Sequence, residues 1–261
     1  DIDWYSFEIP ERGYIRAMAT NVPEGINIEV RFARYKEWEG DKEDWITEWK
    51  VVPTAAVIAE AGTYYIAVID DYNDAESNEK MQLKIEFIKE FDEYEPNNDI
   101  ENAKEIDFGT NIKSAIFPEG DNEWFKVTTD KPGYIRLMAK DYSEDITPEV
   151  SYYLYDEWSE PKMKEIREWE ELPSACFLPK AGEYYFELID NYNDASSIDL
   201  FDVKVEFMEL LDLNEPNDKF TEAKNVNKGD TLSLSIYPLE DVDYYKITIT
   251  EADTLKFYAK E

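Results

Sequence analysis

The chain of 261 residues contains no histidine and a single cysteine. No intrachain disulfide can form, and zinc sites built on Cys and His are excluded. So are nucleophilic arrangements of the Ser-His-Asp and Cys-His kinds. Cys176 lies in the apolar run Ala175-Cys176-Phe177-Leu178, at the place Ala56 holds earlier in the chain, which predicts a small buried hydrophobe. No run of 18 apolar residues occurs, so no transmembrane helix is expected. The chain opens without an initiator Met or a signal-type leader and reads as a mature or excised piece. Basic residues are also scarce: 27 stand against 61 acidic ones, for a formal charge of −34. Nucleic acid and anionic membranes are poor partners for such a surface, whereas divalent cations, basic proteins or neutral sugars suit it. The same charge also serves plain solubility. Apolar residues make up 43% of the chain, enough for packed cores, so the charge does not imply disorder.

What the chain does have is a repeat. Asp1, Asp121 and Asp241 stand 120 positions apart, and residues 1–90 align without gaps on 121–210. Trp4-Tyr5 meets Trp124-Phe125, Gly13-Tyr14-Ile15-Arg16 meets Gly133-Tyr134-Ile135-Arg136, and Gly62-Thr63-Tyr64-Tyr65 meets Gly182-Glu183-Tyr184-Tyr185. A period of this length marks a repeated domain, not a solenoid unit. Strand patterns recur inside it. Ile26-Asn27-Ile28-Glu29-Val30-Arg31-Phe32 alternates strictly, and turn residues such as Pro10, Gly13 and Pro23-Glu24-Gly25 punctuate the runs. Short strands with regular turns predict an all-β chain of tandem, jelly-roll-like antiparallel β-sandwich domains. The one helical candidate, Ile100 to Ile106, has room for one or two turns. Lys36 to Lys50 and its partner Asp156 to Glu170 read as a long hairpin or insertion, and Asp190-Asn191-Tyr192-Asn193-Asp194 as a hairpin turn more than a site.

The expected divisions are 1–90, a sandwich lacking its N-terminal lead-in; 91–210, a complete copy; and 211–261, the first part of a third. Residues 211–240 duplicate what the first copy lacks, so head-to-tail strand donation would build a filament. Excision from a longer tandem chain is the plainer expectation, because 241–261 also duplicates 1–21.

Glu95-Pro96-Asn97-Asn98, Asp121-Asn122-Glu123-Trp124-Phe125 and Ala181-Gly182-Glu183-Tyr184-Tyr185, with their counterparts around Glu215-Pro216-Asn217-Asp218 and Asp241-Val242-Asp243-Tyr244-Tyr245, form an ordered set. The set resembles the bacterial pre-peptidase C-terminal domain family, which is similar to the collagen-binding domains of clostridial collagenases. The resemblance implies a β-sandwich of secreted or cell-surface bacterial proteins, often beside peptidases, in some members binding calcium or matrix proteins. Calcium takes six to eight oxygen ligands. The resemblance carries that role to Glu95, Asn97, Asp121 and Glu123, and also to Glu93 and Asn98. In the third copy Glu215, Asn217, Asp218, Asp241 and Asp243 match, with Leu213 in place of Glu93, which implies weaker binding there. The alternative for these residues is turn and cap formation alone, since Asn and Asp side chains bond nearby backbone N–H groups.

Trp38, Trp49, Trp158 and Trp169 stand among charges. They suit core or domain-interface packing, or else stacking on a ligand. Without His or a usable Cys, and with acids too abundant for any pair to be informative, no enzyme is expected. The reading is a non-catalytic array for adhesion, matrix binding or assembly, with a matrix protein, a carbohydrate or copies of itself as partner. Its alternatives are a filament subunit and the substrate-targeting region of a secreted peptidase.

Overall fold

The computed structural model describes residues 2–35, 43–45, 49–52, 56–89, 92–158, 161–252 and 254–258. Trp38 lies outside them. The first copy contains β1 (Asp3–Ile9), β2 (Gly13–Thr20), β3 (Ile28–Tyr35), β4 (Glu43–Trp45), β5 (Lys50–Val51), β6 (Ala56–Ala59), β7 (Gly62–Asp70) and β8 (Gln82–Lys89). The middle copy contains β9 (Lys104–Glu105), β10 (Asn111–Ser114), β11 (Glu123–Thr129), β12 (Gly133–Lys140), β13 (Pro148–Tyr155), β14 (Met163–Glu171), β15 (Ser174–Leu178), β16 (Gly182–Asp190) and β17 (Phe201–Met208). The third contains β18 (Lys224–Val226) and β19 (Tyr245–Ile247). Among the described residues, every strand pairs within its own copy. The fold is all-β, as the alternation of the sequence requires.

In the middle copy two sheets face each other, one ordered β10-β17-β12-β15 and the other β14-β13-β16-β11-β9. Pairing is antiparallel except between β9 and β11. Each inner face takes every second residue, so Phe125 and Val127 of β11 and Val150 and Tyr152 of β13 are buried. Phe125 stacks on Phe186 across the β11–β16 pair with ring centroids 5.3 Å apart. Burying each such ring is worth about 1.5–3 kcal/mol. Cys176 joins this core, and burial pushes its thiol up to about 12. The first copy repeats the plan at the 120-residue offset: Trp4 pairs with Ala67 on β7 as Trp124 pairs with Glu187 on β16.

Two local expectations take a definite form and a third is corrected. Ile100 to Ile106 holds only a single 3-10 turn, Ile100–Asn102, followed directly by β9. Pairing of Lys104 and Glu105 with β11 takes the backbone groups that a longer helix would have used. Among the described residues of the stretch Asp156 to Glu170, β14 runs antiparallel beside β13 as a hairpin arm. The Asp190 turn is not a hairpin, because β16 and β17 belong to opposite sheets. Asp190 accepts hydrogen bonds from the Thr147 and Ala195 backbone N–H groups at 2.9 and 3.0 Å, which draws the chain out of one sheet and toward the other.

Gly13 and Gly133 open equivalent strands for a steric reason. A Cβ on Gly133 would lie 2.5 Å from the Met208 carbonyl oxygen and overlap the Phe207 ring; one on Gly13 would meet the Ile88 carbonyl oxygen at 2.5 Å. We expect Gly133→Ala to destabilise the protein by about 1–3 kcal/mol, read as a lower midpoint in denaturant unfolding. Gly109→Ala, with nothing near its Cβ, serves as a control for backbone strain at positive φ.

Candidate metal centre

The lead-in to the middle copy is pinned before it reaches the sheet. Asp92 accepts from the Tyr94 backbone N–H, the Ser114 hydroxyl and the Ala115 N–H, each at 2.9 Å. Tyr94 then packs edge-on to Phe125, with centroids 5.3 Å apart. The Asn97 carbonyl accepts from the Trp124 N–H at 2.8 Å, which lays the lead-in alongside the start of β11. The capping role falls to Asp99, whose side chain accepts from the Asn102 N–H at 2.9 Å.

This path brings Glu95, Asp121 and Glu123 together. One carboxylate oxygen from each lies within 4.8 Å of the others. Their relative exposures are 8%, 2% and 0%, so the three acids are sealed from water. Asn97, itself fully buried, donates from Nδ2 to Glu123 Oε2 at 3.0 Å. Asn98 donates to Asp121 Oδ1, and Asp121 Oδ2 accepts from the Phe117 N–H at 3.0 Å. Ser114 Oγ also lies within hydrogen-bond distance of Glu123 Oε2, so its one proton is shared between Asp92 and Glu123. Glu123 Oε1 and Asn97 Oδ1 are left without hydrogen-bond partners. Among the described residues, neither Asp121 nor Glu123 pairs with a Lys or Arg side chain. Burial first, and then the neighbouring carboxylates, hold Asp121 up at about 8 and raise Glu123 well above the ordinary carboxylate range.

The third copy assembles a second trio from Glu215, Asp218 and Asp241, again within 4.8 Å. Asp218 replaces the amide of Asn98 with a third charge. Asp243 accepts from Asn217 Nδ2 at 2.7 Å, as Glu123 does from Asn97, and from the Tyr245 hydroxyl at 3.3 Å, and its Oδ2 has no partner. Burial, then Asp218 and Asp241, raise Glu215 to about 7.

Glu93 stands apart. It is exposed and outside the trio, and Leu213 at its place is 89% exposed, so that difference between the copies does not touch the site. Sequence reasoning missed Asp92 and its counterpart Asp212, which accepts from Asn214 and Ser235 N–H groups as Asp92 does from Tyr94 and Ala115. Their 120-residue spacing was the available signal. Of the tryptophans, Trp158 caps the β13–β14 turn at 91% exposure, Trp169 on β14 is 43% exposed, and Trp49 is half-buried. Trp169 lines a cleft with Asp218 and Leu239, so it borders the third-copy trio.

The chain matches no protein-family model and no curated protein. Two of the solved structures that resemble it do so weakly. A glycoside hydrolase 29 family member from an unknown rumen bacterium is 11% identical over 78% of this chain, with a TM-score of 0.25; the chain spans 39% of that protein's length. The N-terminal CBM22-1-CBM22-2 tandem domain from Paenibacillus barcinonensis Xyn10C is 10% identical over 78% of this chain and 82% of its own, also with a TM-score of 0.25. At that score neither likeness bears on function.

The raised Asp121 pKa sets a pH dependence. A carboxyl whose folded pKa exceeds its unfolded value favours folding below the unfolded pKa and loses that contribution as pH rises through the folded one. In chelator, the unfolding midpoint should therefore fall between the ordinary Asp value of 3.8 and about 8. Asp121→Asn should flatten the fall, and equal slopes for the two proteins would contradict the burial described.

Proposed function

We propose that the chain is a non-catalytic tandem array of β-sandwich modules, stabilised by calcium, that serves adhesion or matrix binding on a secreted or cell-surface protein. The observation that carries the calcium reading is the sealed trio of Glu95, Asp121 and Glu123. Buried like charges cost several kcal/mol per ion unless a counter-charge joins them. The ligand atoms on offer, carboxylate oxygens and the Asn97 amide oxygen, are of the kind that a hard divalent cation takes. Asn97 Oδ1 and Glu123 Oε1 have no other partner to satisfy them. A half-exposed acidic trio, Glu215, Asp218 and Asp241, lies one 120-residue step along, and the resemblance to the pre-peptidase C-terminal family supports the same reading.

A binding role without catalysis is supported by the side chains available. The chain has no His, and its one Cys is buried with a thiol pushed up to about 12. The acidic trio is enclosed, not set across an open substrate cleft. Partner contact falls to the exposed aromatics, Trp158 first and Trp169 farther along the same hairpin. A matrix protein or a neutral carbohydrate fits a surface of net charge −34 that presents aromatic faces.

Calcium at about a hundred times its Kd should stabilise the protein by about 2.7 kcal/mol, seen as a rise in unfolding midpoint that chelator reverses. Glu95→Ala with Asp121→Ala should abolish the middle copy's share of that rise, and no rise at millimolar calcium would remove the site. Separately, Trp158→Ala should weaken retention on collagen or polysaccharide supports while leaving the unfolding midpoint unchanged. Full retention by the variant would clear Trp158 of the role.

A further inference from the structure

The acidic trio is not closed by its own copy. Tyr14, on β2 of the first copy, is 2% exposed and reaches Glu95 Oε1 with its hydroxyl at 3.5 Å. Its ring meets Phe117 of the middle copy edge-on, centroids 5.1 Å apart at 69°, in an apolar patch with Ala56, Ile58 and Ile88. Phe117 belongs to the loop that ends at Asp121, and Asp121 Oδ2 holds the Phe117 N–H. One carboxylate therefore belongs both to the trio and to the loop that carries the interface aromatic.

The arrangement repeats one step along. Tyr134 of the middle copy meets Tyr237 of the third edge-on, at 5.1 Å and 80°. Asp241 Oδ2 accepts from the Tyr237 N–H at 2.6 Å, as Asp121 does from Phe117. Tyr134 is fully buried, its hydroxyl has no hydrogen-bond partner, and Glu215 and Asp241 are the charges that act on it most strongly. A buried hydroxyl without a partner, facing a cluster of acids, calls for something between them. With Glu123 Oε1 and Asn97 Oδ1, it makes an independent set of unmet polar atoms around the two trios.

We propose that both trios are interface sites: a divalent cation held there is closed over by the tyrosine of the preceding copy, and its occupancy fixes the angle between successive copies. This rests on the calcium reading above and adds the coupling to it. The ion orders Asp121, Asp121 orders the Phe117 loop, and Phe117 docks Tyr14. Because the junction recurs, each bound ion sets one joint, and the array stiffens joint by joint.

The test uses the full chain in a Cys176→Ala background, since the first copy already carries Ala56 at that place. Spin labels at Glu79→Cys and Glu144→Cys, both exposed, report the distance between copies by double electron–electron resonance. Calcium chloride should narrow the distance distribution, and chelator should broaden it again. Calorimetry on the same samples should give binding heat, and Tyr14→Phe, which keeps the ring, should weaken calcium about tenfold through the lost hydroxyl. Phe117→Ala should retain binding heat but leave the distribution broad. Binding heat with an unchanged distribution would overturn the coupling and leave the calcium reading standing; absence of heat would overturn both. Calcium affinity unchanged in Tyr14→Phe would overturn closure by the tyrosine.

Discussion

A fold can bury aromatic rings freely, but it cannot bury three carboxylates together without an answer to their charge. Glu95, Asp121 and Glu123 lie within 4.8 Å of one another and are almost wholly shielded from water. Mutual repulsion in a medium of low polarity leaves two outcomes: the acids take up protons, or a cation joins them. The raised values of Asp121 and Glu123 express the first. The proposed calcium expresses the second. The lead-in's path, the Asp92 anchor and the opening of β11 bear on function because they deliver these acids to one place.

The trios also sit where the chain passes from one copy to the next. Sandwiches joined by a short charged link would ordinarily reorient, since contacts between neighbouring domains are small and polar. Here each link places an aromatic of one copy against a tyrosine of the other, and places acids behind that contact. The two junctions use the same pairings 120 residues apart, with Phe117 exchanged for Tyr237 and Asn98 for Asp218. A device repeated at each joint acts on the whole array, because small changes at single joints accumulate along it.

The aromatics divide by the physics of their positions. Tyr and Phe on inward strand faces, such as Phe125, Tyr152 and Phe186, are fully enclosed and hold the sheets together. Tyr14 and Tyr134 are enclosed where residues of their own copy and an aromatic of the next copy meet. Trp158 is covered by nothing among the described residues and stands at the tip of a hairpin, where a partner can reach it. Burial thus separates core, junction and surface roles within one residue class.

Much of this was legible from residue order. Strict alternation in the Ile26–Phe32 run and its copies dictated strands, the 120-residue spacing dictated repetition, and the acids around Asp121 and Asp241 marked themselves by recurring. These are local or periodic properties, and they survive without a third dimension. What tertiary structure alone decided is of another kind. It placed Glu93 in solvent and Asp92 inside, sent β17 to the opposite sheet from β16, and shortened the Ile100 helix to one turn so that β9 could pair with β11. It also set Tyr14 over the acids of a different copy, 81 positions from Glu95. Burial and contact between distant residues follow from how sheets stack and copies abut, and no local pattern in the chain encodes which side of a stack a given carboxylate will face.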